Sequence, residues 1–373
     1  TPTRRAAFLA CFIAGYLIHL FAFTNIIPNS DGLSRVFDPQ QMTVSGRWFL
    51  HYASFLNDFT QMPALIGFFS MVFLSLAAAG VVTALNLHSR ALSAFAGVLM
   101  AAFPCLGYTF LYMFTASAYC LAILLAVLAV CLVKKGGWLR TLAGVVLLAL
   151  SMGIYQAYAA VAVALSLLVV LRACLHARST LRGTVRLGFR LAGFLAVGAA
   201  LYYGILQIFL AVKDLELLDY LGMSDAGSGY PIAQLPGLIL SAYKQVFVFF
   251  FWPNGSNSFT TPLLAGLDLL ALALAVACFL AIVFRRALWR EPWRLIGALV
   301  LAALLPLAVG FAQIIAPFSD ATPIMKYAYV LVYMAVLLAA DLGLSFLPRP
   351  RGGMAVSGAL ALCLAGVTLY SAN

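Results

Sequence analysis

Few side chains in this 373-residue sequence can do chemistry: 11 Asp and Glu, 22 Lys and Arg, four His and seven Cys. Their spacing removes most familiar reactions. His19, His51, His88 and His176 are dispersed, with no HxxxH or HExxH ligand pattern. The cysteines (Cys11, Cys105, Cys120, Cys131, Cys174, Cys278 and Cys363) sit singly in or beside apolar runs, with no CxxC pair, and read as small packing residues. There is no GxxxxGK[ST], no GxGxxG after a strand and no GxSxG elbow, so no known motif supports nucleotide binding or a serine hydrolase. What remains is a handful of carboxylates (Asp31, Asp38, Asp214, Glu216) and cations (Arg35, Arg47, Lys244, Lys326). A placed carboxylate can take a proton from an attacking hydroxyl, and fixed cations can stabilise charge that builds on a leaving phosphate.

The elements that must position these groups are membrane helices. The chain is 65% hydrophobic and 9% charged, with a mean hydropathy of +1.05, far outside the soluble range. A water-soluble enzyme is excluded, and no polar stretch is long enough for a separate soluble domain. Apolar runs at 6–25, 63–85, 91–106, 110–133, 138–151, 155–172, 191–212, 263–284, 295–315, 324–346 and 354–371 predict an all-α, polytopic bundle of about eleven spans in one multispanning domain, 1–373. The run at 138–151 is short enough to be tilted, broken or fused to the next. The first run is too long for a signal-peptide core and no small-residue cleavage site follows, so it is expected to persist as a helix.

The net charge of +11 suggests an anionic partner until the cations are placed. With the Arg4/Arg5 end in the cytoplasm and the spans alternating, 17 of 22 Lys and Arg fall inside, while nine of eleven acids fall outside. The +11 is therefore topology, and a nucleic-acid partner is not expected. The apolar stretch 236–252 carries Lys244 at its middle, and counting it as a span would invert the later Arg-rich loops. It reads as an interfacial or re-entrant helix.

Two long external loops, 26–62 and 213–262, stand out against tight connections elsewhere. In the first, Trp48, Phe49, Tyr52, Phe55 and Leu56 share one face of a helix, expected to lie along the outer surface with its aromatics in the interface and Arg47 near lipid phosphates. Asp31 stands within a few residues of headgroup level. It has two readings, a base placed where a lipid-borne donor meets a water-borne acceptor, or a cap with Ser30 for a short helix Gly32 to Phe37, paired with Arg35. Asp38, before Pro39, reads as a turn residue. Asp214 and Glu216 have a D-x-E spacing that suits a divalent ion but equally a solvated loop. No metal or other cofactor is otherwise expected. Lys244 and Lys326 are scarce external cations, suited to a phosphate or to snorkelling.

Asn29-Ser30-Asp31 after the first span, Ser45-Gly46-Arg47-Trp48 before the second, and Gly153-Ile154-Tyr155-Gln156 before an apolar helix make the chain resemble the GtrII-type glucosyltransferases, within the multispanning GT-C class, over most of its length. The family pattern often carries two adjacent acids after Asn-Ser, whereas here Gly32 follows Asp31, leaving one carboxylate. The resemblance implies a GT-C-like fold with external juxtamembrane helices. It implies transfer of a hexose, usually glucose, from a polyprenyl-phosphate donor to lipopolysaccharide O-antigen or a similar surface polysaccharide, on the periplasmic face of a bacterial inner membrane. An upstream lipid-sugar synthase and a flippase would supply the donor. Asp31 would be the base of an inverting displacement. Arg47, Lys244 and Lys326, with Arg35 second, would hold the donor phosphate, and Asn29, Trp48, Tyr155 and Gln156 the sugar or acceptor.

Two other functions fit a bundle of this kind. A glycolipid transporter or flippase would place ionisable groups or broken helices near the midplane, whereas these spans are almost free of charge and Asp268 and Asp341 lie near their ends. A lipid-linked polysaccharide polymerase would use similar external cations, and product analysis separates it from a transferase. An O-acyltransferase has only His19 in its favour.

Overall fold

The computed structural model describes residues 1–27, 40–54, 62–177, 179–217, 234–253, 260–315, 322–346, Ala361 and 365–367. Among these the regular structure is helical and there is no strand. In chain order the helices are α1 Pro2–Ile18, α2 Leu20–Thr24, α3 Gln40–Val44, α4 Leu50–Ala53, α5 Pro63–Leu85, α6 Arg90–Ala102, α7 Pro104–Leu111, α8 Met113–Lys135 and α9 Trp138–Ile154. They continue with α10 Ala159–Leu175, α11 Leu181–Lys213, α12 Leu235–Phe251, α13 Pro262–Arg285, α14 Pro292–Val309, α15 Phe311–Ile315 and α16 Val330–Gly343. Two 3₁₀ segments, Gln156–Tyr158 and Pro323–Tyr329, lead into α10 and α16. Among the described residues seven helical segments are long and apolar enough to cross a membrane, or eight if the bent pair α6/α7 is one span; α9 and α12 are shorter apolar helices. The expected run at 354–371 lies almost entirely outside the described residues.

Three expected elements differ. The first run is not one helix: α1 stops at Ile18 and α2 begins at Leu20, with His19 between them. The run at 91–106 continues as α7, bent 41° from α6 at Phe103–Pro104. The cause is covalent, since Pro104 has no N–H for the carbonyl of Met100. Tyr327 Oη donates to that carbonyl at 2.9 Å, and the His19 ring nitrogen Nε2 pairs with the next one, Ala101, also at 2.9 Å. Freed backbone groups in a membrane interior must find such partners. The helix expected from Trp48 begins later, at Leu50, as α4 Leu50–Ala53; Phe55 and Leu56 lie outside the described residues.

Small residues set the helix spacing. Ala7, Cys11 and Gly15 recur every four positions on the buried face of α1, and a Cβ on Gly97 of α6 would lie 2.2 Å from the Ala7 carbonyl, so these helices meet backbone to backbone. Ser151 Oγ of α9 donates to the Ala122 carbonyl of α8 at 2.8 Å. Helices α5, α8, α10 and α16 form the inside of the bundle, while α11, α13 and α14 expose most of their apolar surface, as lipid-facing helices do.

One end of the bundle gathers the cations that the alternation places together. Lys134 Nζ donates to the Ala84 carbonyl (2.7 Å) and Asn86 Oδ1 (3.1 Å), and Arg172 to the Asn86 carbonyl (3.3 Å). Arg190 donates to the Lys134 carbonyl (2.9 Å), Arg286 to Leu175, and Arg294 to His176, Ala177 and Ser179. These cations occupy the C-terminal carbonyls of α5, α8 and α10, where positive charge is favoured. On the same end Asp341 of α16 accepts from the backbone N–H of His88 and of Ser89.

Candidate functional site

At the opposite end, two helix breaks and one short turn come together. Helix α9 ends at Ile154, where Tyr155 turns extended (φ −156°, ψ 112°). The Gly153 carbonyl, which loses its in-helix donor there, accepts instead from the N–H of Phe49 at 2.8 Å. The segment that supplies Phe49 is fixed in turn by a Schellman cap on α3: Gly46 N–H bonds Thr43 (2.9 Å) and Arg47 N–H bonds Met42 (2.8 Å), with Gly46 at φ +79°. That left-handed position is why glycine precedes Arg47.

Two side chains clamp this turn. Gln156 Nε2 donates to the Ser45 carbonyl at 2.8 Å, and Tyr202 Oη of α11 donates to the Gly46 carbonyl at 2.9 Å. Trp48 is buried, its indole stacked beside Phe209 (5.7 Å) and Tyr202 (6.5 Å) and close against Gly153. The sequence pattern puts Trp48 in the membrane interface; the structure puts it inside the protein, because the turn folds back onto α9 and α11 instead of running along the surface.

The turn delivers Arg47. Its guanidinium carbon lies 4.8 Å over the Tyr155 ring and its Nη1 is 3.4 Å from Tyr119 Oη. Tyr119 and Tyr155 stack at 4.8 Å, Tyr155 meets Tyr158 edge-on at 5.3 Å, and Tyr158 meets Tyr327 edge-on at 6.3 Å. Tyr327 belongs to the 323–329 segment, which Pro323 starts and which carries Lys326, a lysine only 7% exposed. The 3₁₀ segments thus face each other through aromatic edges, one carrying Tyr158, whose neighbour Tyr155 lies beneath Arg47, and the other carrying Lys326 next to Tyr327.

The other candidates fall elsewhere. Lys244 is exposed on α12, which packs on α13, α14 and α15, and it does not join the tyrosine chain. Asp214 caps α11 in a left-handed conformation, and both it and Glu216 are exposed. No group of three His, Cys, Asp or Glu suited to a metal occurs among the described residues. Asn29, Asp31, Arg35 and Asp38 lie outside the described residues. Asp268 is buried in α13 and accepts from Tyr333 Oη at 2.8 Å. Sequence reasoning missed Tyr119, Tyr158, Tyr202 and Tyr327. A tyrosine inside an apolar run gives no signal of its own, since it packs as readily as phenylalanine.

No curated protein and no solved structure matches the chain significantly. The family description Glucosyl transferase GtrII matches residues 20–339, a stretch that includes the Arg47 turn, both 3₁₀ segments and Lys326. With that match over most of its length, this helical membrane protein belongs to the GtrII glucosyl transferase family and is a glycosyltransferase.

Proposed function

We propose that the chain moves a hexose, glucose in the first instance, from a polyprenyl-phosphate donor to a surface glycan such as lipopolysaccharide O-antigen. In this reading the reaction occurs at the Arg47 end of the bundle, on the periplasmic face of a bacterial inner membrane, with the cation-rich end in the cytoplasm. The observation that supports it is the run of tyrosine rings that joins the Arg47 turn to the buried segment carrying Lys326, from parts of the sequence almost 280 residues apart. A phosphate that enters membrane-side meets a planar fork and a point charge, the two cation types that bind it best.

In the reaction the acceptor hydroxyl oxygen attacks the anomeric carbon as its bond to the phosphate oxygen breaks with inversion. The electron pair leaves with the polyprenyl phosphate, and the hydroxyl proton passes to a carboxylate. Asp31 is that base, reached from the first long external loop. Arg47 and Lys326 stabilise the charge gained by the departing phosphate. Trp48 and Gln156 act by holding the Arg47 turn, and Tyr155 by holding the guanidinium plane. Asn29 and Arg35, in the same stretch of sequence as Asp31, are assigned to the sugar and to the donor phosphate.

Transfer by Asp31→Asn, in membranes supplied with polyprenyl-phosphate glucose and acceptor glycan, tests the reading. A positioned base contributes about 10²- to 10⁴-fold, and a loss in that range with protein level unchanged is expected. Full transfer by this variant would remove Asp31 from the mechanism. A change in glycan chain length with no new side-branch sugar would favour polymerisation.

A further inference from the structure

Helix α11 is longer than a membrane requires. Its 33 residues at 1.5 Å each span about 50 Å, roughly 20 Å more than a hydrocarbon core. The excess lies at its N-terminal part, beside the start of α9, where Arg190 contacts the Lys134 carbonyl and closes on Gly136. In that part Leu181, Val185 and Phe189 recur every four residues and are exposed, Phe189 to 75%. Arg182, Arg186 and Arg190 follow at the same interval, one position on, with Arg182 and Arg186 exposed. A step of four residues turns a helix by about 40°, so an apolar stripe and a basic stripe run side by side. Thr184 and Leu191 are the buried positions, which aims both stripes away from the bundle. The neighbouring junction of α8 and α9 adds exposed Lys135 from the end of α8 and Trp138, Leu139 and Arg140 from the start of α9.

This surface is charged in one sign. Among the described residues the acids of this end are Glu291 and Asp341, and they pair with Arg294 at 2.7 Å and His88 at 3.1 Å. Lys134, Arg172 and Arg294 are directed to helix-end carbonyls, as described above, whereas Lys135, Arg182 and Arg186 are exposed, as is Arg140, which makes one long bond (3.5 Å) to the Gly136 carbonyl. An apolar stripe flanked by outward arginines, continuous with a lipid-facing helix, fits an anionic interface better than water, because the interface satisfies both stripes.

We propose that the paired N-terminal parts of α9 and α11 form a docking surface for anionic phospholipid headgroups. Phe189 and Trp138 enter the acyl boundary, Val185 lies at headgroup level, and Arg140, Arg182 and Arg186 hold lipid phosphates. The inference does not depend on the transfer reaction, since it concerns the other end of the molecule.

The test uses full-length protein in phosphatidylcholine bilayers with about one-fifth phosphatidylglycerol, one or the other lipid carrying brominated chains that quench tryptophan on contact. Trp138 emission is isolated by subtracting the Trp138→Phe signal. Quenching by brominated phosphatidylglycerol should exceed its mole fraction severalfold and fall to the mole-fraction value in about 1 M salt, where the Debye length is near 3 Å. Arg140→Gln with Arg182→Gln and Arg186→Gln should lower the enrichment by roughly fivefold per charge until that value is reached. The corresponding Lys variants should keep it. Quenching in proportion to mole fraction in the unaltered protein, or a preference that survives both salt and the three Gln changes, would overturn the proposal. The salt comparison decides it even where the triple variant does not fold.

Discussion

Gly153→Ala is the most searching perturbation of the site, because it touches no charged group and still presses on the turn that carries Arg47. A Cβ at this position would lie 2.7 Å from Trp48 Cε2, 2.8 Å from Cζ2 and 3.0 Å from Phe49 Cβ. Ordinary contact begins at 3.4 Å, so the indole must withdraw by about 0.7 Å, and it has little freedom between Tyr202, Phe209 and α9. Trp48 is bonded directly to Arg47, and the Phe49 N–H is tied to the carbonyl of Gly153 itself. The displacement therefore passes to the guanidinium. Misplacement of about 1 Å costs on the order of 10²-fold in rate, so transfer should fall by roughly 10- to 100-fold, with about 1–3 kcal/mol of overpacking. Gly198→Ala is the matched control. Its Cβ would meet Leu148 at 2.6 Å, an equally tight contact between α11 and α9, one turn before Tyr202 and with no atom of Arg47, Trp48 or Phe49 among the nearest. Transfer rates per folded molecule, alongside thermal unfolding in detergent, separate the two. If both variants lose stability alike and Gly153→Ala keeps the turnover of Gly198→Ala, the coupling of Gly153 to Arg47 is refuted.

Lys326→Gln should lower transfer by about 10²-fold or more as a lost phosphate contact, while Lys244→Gln, on the exposed side of α12, should leave it within a fewfold; equal losses would return Lys244 to the site. Tyr202→Phe leaves the buried Gly46 carbonyl without its donor, at about 1–3 kcal/mol, and should reduce kcat for the full donor; an unchanged kcat would show that the turn holds without this clamp. Tyr327→Phe strips the donor from the Met100 carbonyl that Pro104 cannot serve, and unfolding in detergent should fall by about 1 kcal/mol; no shift would mean that the α6/α7 bend rests on packing alone.

The sequence by itself determined the class of the protein. Runs of about twenty apolar residues admit few structures besides helices in a bilayer, since each backbone polar group must be satisfied within its own segment. The sorting of the cations followed from the same runs, and the structure gathers Lys134, Arg172, Arg190, Arg286 and Arg294 at one end, on carbonyls that helix ends leave open. Short motifs in order also carried the family. Only the tertiary structure decided what those motifs do. Gln156 and Trp48 read equally well as sugar contacts, yet one bonds the Ser45 carbonyl and the other fills the space beside Gly153, because a loop closes on a helix end far away in the chain. Periodicity is local, and it reports which face of a helix is apolar but not which neighbour covers that face. The pairing of the 156–158 and 323–329 segments, which links the Arg47 turn to the segment carrying Lys326, rests on aromatic edges and orphaned carbonyls contributed by several helices, and such long-range satisfaction leaves no mark on any single stretch of sequence.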